Sequence, residues 1–212
     1  MDNMIIDCIS DLHGYFPKLE GGDLLLIAGD LTAWDEPHEF EGFKKWLEKQ
    51  NYTKKILIGG NHDGFLVSLE NPQKYFEEAV YLCDSGTKFE GLKIWGTPWT
   101  KNFHGQNPKC KAFGLDLDTQ MMEKFTLIPE DIDILITHSP PLGILDNTWR
   151  SRVGSPYLRS KVEAMKNLKL HLFGHIHEGY GTEEGPFGAK FVNASFVNEF
   201  YKPIHAPVRV IF

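Results

Sequence analysis

An α/β fold that gathers its chemistry at one end of a sheet is the class this sequence predicts. Three observations carry that expectation. Short apolar runs are interspersed with segments of helical spacing. Five of those runs end abruptly in a turn, and the side chains just past the five ends are Asp, Asn and His.

The first run spans residues 4–9 and delivers Ser10-Asp11-Leu12-His13-Gly14. An Asp and a His two apart share one face of an extended segment, so both are expected to point at one ion. Residues 23–28 form a second strand that stops at Gly29-Asp30. Residues 36–50 follow as an amphipathic helix, with Phe40, Phe43, Trp46 and Leu47 at helical spacing. Ile56-Leu57-Ile58 then runs into Gly59-Gly60-Asn61-His62-Asp63, where two glycines let the backbone turn and project three polar side chains.

The middle is less regular. Residues 79–82 read as a strand, and 87–89 with 92–95, joined by Glu90-Gly91, as a hairpin. A stretch rich in Asn, Gly, Lys and aromatics runs from Thr97 to about Gly114; a loop of that length is expected to be functional or mobile. Residues 116–125 fit a helix. Residues 133–137 form a strand ending at His138-Ser139-Pro140-Pro141, whose prolines stiffen the loop behind the histidine. Residues 155–166 fit a helix with Val162 and Met165 inward, and 168–173 a strand ending at Gly174-His175-Ile176-His177. Residues 191–193 and 208–212 supply closing strands. No repeat, low-complexity tract or linker divides the chain, so residues 1–212 read as a single domain.

Collected, the strand ends offer Asp11, His13, Asp30, Asn61, His138, His175 and His177, with His62 beside them. Two carboxylates, four imidazoles and one amide oxygen are too many for one ion and about right for two. Mixed N/O donors without thiolate suit Mn, Fe, Zn or similar ions. Asp30 is the natural bridge. Two cations about 3.5–4 Å apart activate a bridging hydroxide and hold a phosphoryl oxygen for in-line attack. His62 is the expected donor of a proton to the leaving oxygen, oriented by Asp63.

Singly, each of these Asp and His residues reads as a turn cap or a satisfied buried group; their joint recurrence is what points to metal. His171, inside an apolar strand, reads as a core or supporting residue. Trp95, Trp99 and Phe103 stack on a base or cover the core edge, and His104 in the long loop is a candidate substrate contact. Glu178 and Tyr180 shape the last turn, and Arg150, Arg152 and Arg159 read as a solvated face rather than a phosphate clamp.

Composition sets bounds. Twenty-two Lys+Arg against 29 Asp+Glu give a formal charge of −7, which argues against a surface that coats nucleic acid. The three cysteines, Cys8, Cys83 and Cys110, have no CxxC or zinc spacing and suit a reducing cytosol. The start of the chain carries no basic leader or membrane-length apolar run, so a cytoplasmic protein is expected.

In order, Asp11-Leu12-His13, Gly29-Asp30, Gly60-Asn61-His62-Asp63, His138 and Gly174-His175-Ile176-His177 resemble the five motifs of the calcineurin-like metallophosphoesterases. A narrower resemblance is to the metallophosphoesterase-domain-containing group of cyclic nucleotide phosphodiesterases. It rests on residues 22–30, Trp95-Gly96-Thr97-Pro98-Trp99, residues 131–143 and residues 170–181. The resemblance implies a four-layer αββα sandwich with a dinuclear metal site at the carboxyl ends of the strands. It implies that Asp11, His13, Asp30 and His177 hold one metal, that Asp30, Asn61, His138 and His175 hold the other, and that His62 is catalytic. Some members of the group replace the first histidine of the last motif; His175 is present here, so the ligand set is complete. The loop 101–114 departs from the family pattern and is expected to help set substrate choice.

The function expected is therefore a dinuclear phosphodiesterase acting on 3′,5′- or 2′,3′-cyclic nucleotides or related small diesters. Two divalent ions are expected, Mn2+ first, with Fe, Zn, Co or Ni as alternatives. A phosphomonoesterase acting on protein or nucleotide, and a non-catalytic scaffold, are the competing readings. The expected partner is a small phosphoester, a nucleotide, with no membrane and no stable nucleic acid; monomer and homodimer both stand open.

Overall fold

The computed structural model describes residues 3–103 and 105–212. His104 therefore lies outside the described residues. The chain runs β1 (Ile5–Ile9), β2 (Gly22–Ala28), α1 (Pro37–Glu48), β3 (Tyr52–Ile58), α2 (Gly64–Ser68), α3 (Pro72–Tyr75), β4 (Val80–Tyr81), β5 (Ser85–Phe89) and β6 (Leu92–Thr97). It continues through β7 (Thr100–Lys101), β8 (Gly114–Leu115), α4 (Asp118–Thr126), β9 (Ile134–Thr137), α5 (Pro156–Ala164), β10 (Leu170–Phe173), β11 (Gly181–Glu184), β12 (Lys190–Asn193) and β13 (Val208–Ile211).

Two large sheets result. One has the order β13-β1-β2-β3-β4 and the other β11-β12-β10-β9-β6-β5. Strands β1 to β4 are mutually parallel, as are β6, β9, β10 and β12; antiparallel β13, β11 and β5 close three of the four edges, and parallel β4 the other. Side-chain alternation then makes the layers. Leu24, Leu26, Ile56 and Ile58 face Ile134, Ile136, Leu170 and Leu172 between the sheets. Their neighbours Leu25, Ile27 and Leu57 pack outward on Phe40, Phe43, Trp46 and Leu47 of α1. On the far side Leu135, Phe173 and Phe191 pack on Met121, Phe125, Leu158 and Val162 of α4 and α5. Strands buried on both faces read as continuous apolar runs, and each large side chain buried contributes about 1.5–3 kcal/mol. The four layers α, β, β, α are those the resemblance implied.

The Glu90-Gly91 hairpin forms as expected, with φ of 45° and 81° at its two turn residues. Helices α2 and α3 leave no signal in the sequence, since five and four residues are too short for a periodic pattern. The stretch after Thr97 is also more ordered than a loop, because β7 pairs with β8. No helix among the described residues is long and apolar enough to cross a membrane.

Candidate metal centre and substrate cleft

Because β1, β2 and β3 lie parallel and side by side, their carboxyl ends open on one edge. The backbone then turns in an unusual way. Asp11, His13, Asp30 and His175 have φ of 51°, 43°, 52° and 67°, the left-handed region that costs a non-glycine residue roughly 1–3 kcal/mol. This corrects the expectation that Asp11 and His13 share a face of an extended segment. The strand has ended at Ile9, and successive left-handed turns swing both side chains to the centre. The turns are tied together: Asp11 N donates to Gly29 O at 3.0 Å, His13 N to Asp30 O at 3.0 Å, and His62 N to Asp30 Oδ1 at 2.8 Å. Glycine is required where the carboxylates pass. A Cβ on Gly60 would lie 2.3 Å from Asp30 Oδ1, and one on Gly174 would lie 2.0 Å from Asp11 Oδ2.

The structure brings together all seven ligand candidates, in two groups that share Asp30. In the first, His177 Nε2 lies 3.4 Å from Asp11 Oδ1, and His13 Nε2 lies 3.6 Å from Asp30 Oδ2 and 3.3 Å from His177 Nε2. In the second, His138 Nε2 lies 3.3 Å from Asp30 Oδ1 and 3.1 Å from Asn61 Oδ1, and the His175 ring is 5.1 Å from that of His138. Backbone carbonyls orient the rings. His138 Nδ1 meets Ala28 O at 2.7 Å, and His177 Nδ1 meets Asn198 O at 3.1 Å. A carbonyl only accepts, so Nδ1 carries a proton and Nε2 is the atom each ring turns to the centre.

The electrostatics ask for cations. Burial penalises the Asp30 carboxylate, yet His138 and His62 hold it well below the usual carboxylate range; the His177 hydrogen bond does the same for Asp11. Burial pushes His13 and His175 down to about 3, which leaves both as neutral donors. His138 goes the other way: against the burial penalty, Asp30 raises it to about 9. A proton held there by a carboxylate is a proton that a divalent cation would displace. Two carboxylates, an amide oxygen and four imidazoles without thiolate fit a pair of borderline divalent ions.

His62 does not take its orientation from Asp63. Its Nδ1 meets Ala33 O at 2.7 Å, and Ala33 N in turn donates to Glu39 Oε1 at 2.9 Å. The Asp63 carboxylate points away and accepts from Gly60 N at 2.8 Å, Leu31 N at 3.0 Å and Thr32 N at 3.2 Å. It braces the two turns that carry Asp30 and Asn61. Burial, with the Asp30 charge added, pushes its carboxyl up to about 8.

Above the centre lies a cleft of about 670 Å³, walled by Tyr15, Trp34, Phe103 and Tyr201 and by Glu178 and Glu199. Trp34 is 62% exposed and Phe103 58%, so these faces are free to take a planar group. Phe103 alone of the three expected aromatics reaches it. Trp95 and Trp99 cover the core edge, and Trp99 Nε1 donates to Asp84. Arg152 pairs with Asp146 and Arg159 with Glu163, away from the cleft, as a solvated face would. His171 is fully buried against Phe173 and Phe191 on the outer face of the second sheet, its Nε2 2.9 Å from Thr137 Oγ1. A larger hollow, at the opposite end of the sheets around Lys93, Lys166 and Phe187, gathers none of the ligand candidates.

Sequence reasoning missed three contributors. The Tyr201 ring packs 4.9 Å from His13 and 5.2 Å from His177, from a residue at φ 57°. Ser195 Oγ lies 2.8 Å from Asp11 Oδ2, and Gln106 is buried in the wall. Tyr201 and Gln106 stand at no strand end. Ser195 stands two residues past β12, as Asp11 does past β1, but it is not one of the Asp, Asn and His types that mark the five motif-bearing ends.

The profile of the family described as calcineurin-like phosphoesterase matches residues 4–179. Metallophosphoesterase domain-containing protein 1 of Homo sapiens is 36% identical over 95% of this chain and 68% of its own length. A 3′,5′-cyclic-nucleotide phosphodiesterase of Nostoc is 23% identical over 74% of this chain and 57% of its own. A crystal structure of a dimetal phosphatase from Danio rerio superposes with a TM-score of 0.56 at 11% identity, covering 98% of this chain and 92% of that one, and shares the fold. With the family pattern running through both sheets, the chain belongs to the calcineurin-like phosphoesterase family and is a metal-dependent phosphoesterase.

Proposed function

We propose that the protein hydrolyses phosphodiesters, with 3′,5′- or 2′,3′-cyclic nucleotides as the substrate class. The observation that carries this reading is the charge of the walls. Among the described residues no Lys or Arg lines the cleft, whereas Glu178 and Glu199 do. A diester carries one negative charge and a monoester up to two, so acidic walls penalise the monoester more. Exposed aromatic faces beside the centre suit a nucleobase, which stacks without needing a charged partner. The similarity to the Nostoc phosphodiesterase supports the same class.

In this reading Asp11, His13, Asp30 and His177 hold one divalent ion and Asp30, Asn61, His138 and His175 the other, with Mn2+ as the first candidate. When bound, the pair supplies an activated water and offsets charge on the phosphoryl oxygens. His62 handles the leaving oxygen. With its Nδ1–H held by Ala33 O, the ring takes a second proton at Nε2 and gives it up as the ester bond breaks. Asp63 keeps the Asp30 and Asn61 turns in register. Cys8, Cys83 and Cys110 are free thiols, and we place the protein in the cytoplasm as part of this proposal.

Product analysis tests it. With Mn2+ and cyclic AMP of either ring type, the expected product is AMP, accumulating with no inorganic phosphate. Rapid phosphate release from AMP, with cyclic AMP untouched, would make the enzyme a monoesterase instead.

A further inference from the structure

The 101–114 stretch, which departs from the family pattern, does more than wall the cleft. Among its described residues from 101 to 111, Gln106 and Cys110 are the buried ones, at 8% and 3% exposure. Both ends of the Gln106 amide are used. Its Oε1 accepts from Phe103 N at 3.3 Å, and its Nε2 donates to Cys110 O. The same carbonyl accepts from Asn61 Nδ2 at 3.3 Å, while Ala112 N donates to Asn61 O at 3.2 Å. With its NH2 held there, the Asn61 amide has one sensible orientation. Its Oδ1 faces His138 Nε2 and the centre; a flip would set oxygen against the Cys110 oxygen.

We propose that Gln106 is a positioning residue for Asn61, coupling the aromatic wall at Phe103 to the metal affinity of the group that contains Asn61. The inference rests on the reading that Asn61 is a ligand. Gln106 fills the second lone pair of the Cys110 carbonyl and pins that carbonyl where Asn61 needs it. Without Gln106 the carbonyl keeps the Asn61 NH2 as its single donor from this pair, and nothing else from the pair fixes the position of the carbonyl that orients Asn61. Loss of a hydrogen-bonding partner behind a metal ligand typically weakens metal affinity about 10- to 100-fold.

Calorimetric titration of the metal-free protein with Mn2+ tests this without any turnover. In Gln106→Ala, one of two sites is expected to weaken by about 10-fold or more while the other holds. Gln106→Glu, of the same size, sets an acceptor against Cys110 O and should weaken the same site at least as much. Asn61→Asp has no NH2 to donate, so adding Gln106→Ala to it should cost nothing further. Melting of each metal-free variant checks folding. Affinity within twofold of wild type in both Gln106 variants, or full additivity with Asn61→Asp, would overturn the proposal. A protein that cleaves no diester but shows this pattern would sink the proposed activity and leave the coupling standing.

Discussion

The floor of the cleft is buried, held in left-handed turns and oriented by backbone carbonyls, whereas its walls are exposed aromatic and acidic side chains on loops. His138 is fully buried and bonded to the main chain of the opposite sheet at Ala28; Trp34 is 62% exposed, on the segment between β2 and α1. A strained, buried floor suits chemistry that needs two charges held at a set spacing. Outside the Gln106 link to Asn61, wall residues with few ties such as Trp34 suit selection among substrates, since they change without disturbing the centre. The two regions should therefore fail differently.

The largest effect belongs to the floor. Asp30 touches both ligand groups, so Asp30→Asn should lower diester turnover on the order of 10⁴-fold, the equivalent of several kcal/mol, and release metal as read by elemental analysis. Retained metal with near-normal turnover would mean that the two groups do not share Asp30.

A second effect belongs to the core behind the second sheet. His171 is buried and its ring is pushed down to about 3 by burial, while the unfolded chain protonates near 6.5. The native state therefore binds fewer protons in acid. This stabilisation is complete above pH 6.5 and is lost as pH falls toward 3, by about 2 kcal/mol at pH 5. Denaturant unfolding at pH 7 and pH 5 should show that loss reduced in His171→Gln; an identical acid slope would mean that another group carries it.

Effects at the exposed wall residues Trp34 and Glu199 should be smaller and confined to substrate choice. Trp34→Ala is expected to raise KM for a cyclic nucleotide about 10-fold or more, as loss of one stacking face does, with kcat and metal content little changed. Glu199→Lys should shift the diester-to-monoester ratio of kcat/KM toward the monoester by roughly twofold to fivefold, the scale of a partly exposed charge, and less at high salt. If Trp34→Ala instead empties the metal sites, floor and wall are not separable.

The same division explains what was legible in the sequence. The seven ligand candidates stood at strand ends, where an apolar run stopping at a polar turn is a local signal; parallel pairing then had to bring them together. Asp63 was misread because neighbours in sequence at such a turn diverge in space: His62 turns to Ala33 and Asp63 to Leu31 and Gly60. Tyr201 and Gln106 carry no local pattern. Their positions arise from contacts made after the chain has folded, Tyr201 over His13 and Gln106 behind Asn61.

The most direct measurement is a paired assay with Mn2+, bis-p-nitrophenyl phosphate against p-nitrophenyl phosphate, for wild type and His62→Ala. A diester preference in wild type, with diester turnover falling about 10²- to 10⁴-fold in His62→Ala while both metals stay bound, is the result expected of a general acid above an intact floor. A monoester preference, or turnover indifferent to His62, would contradict it.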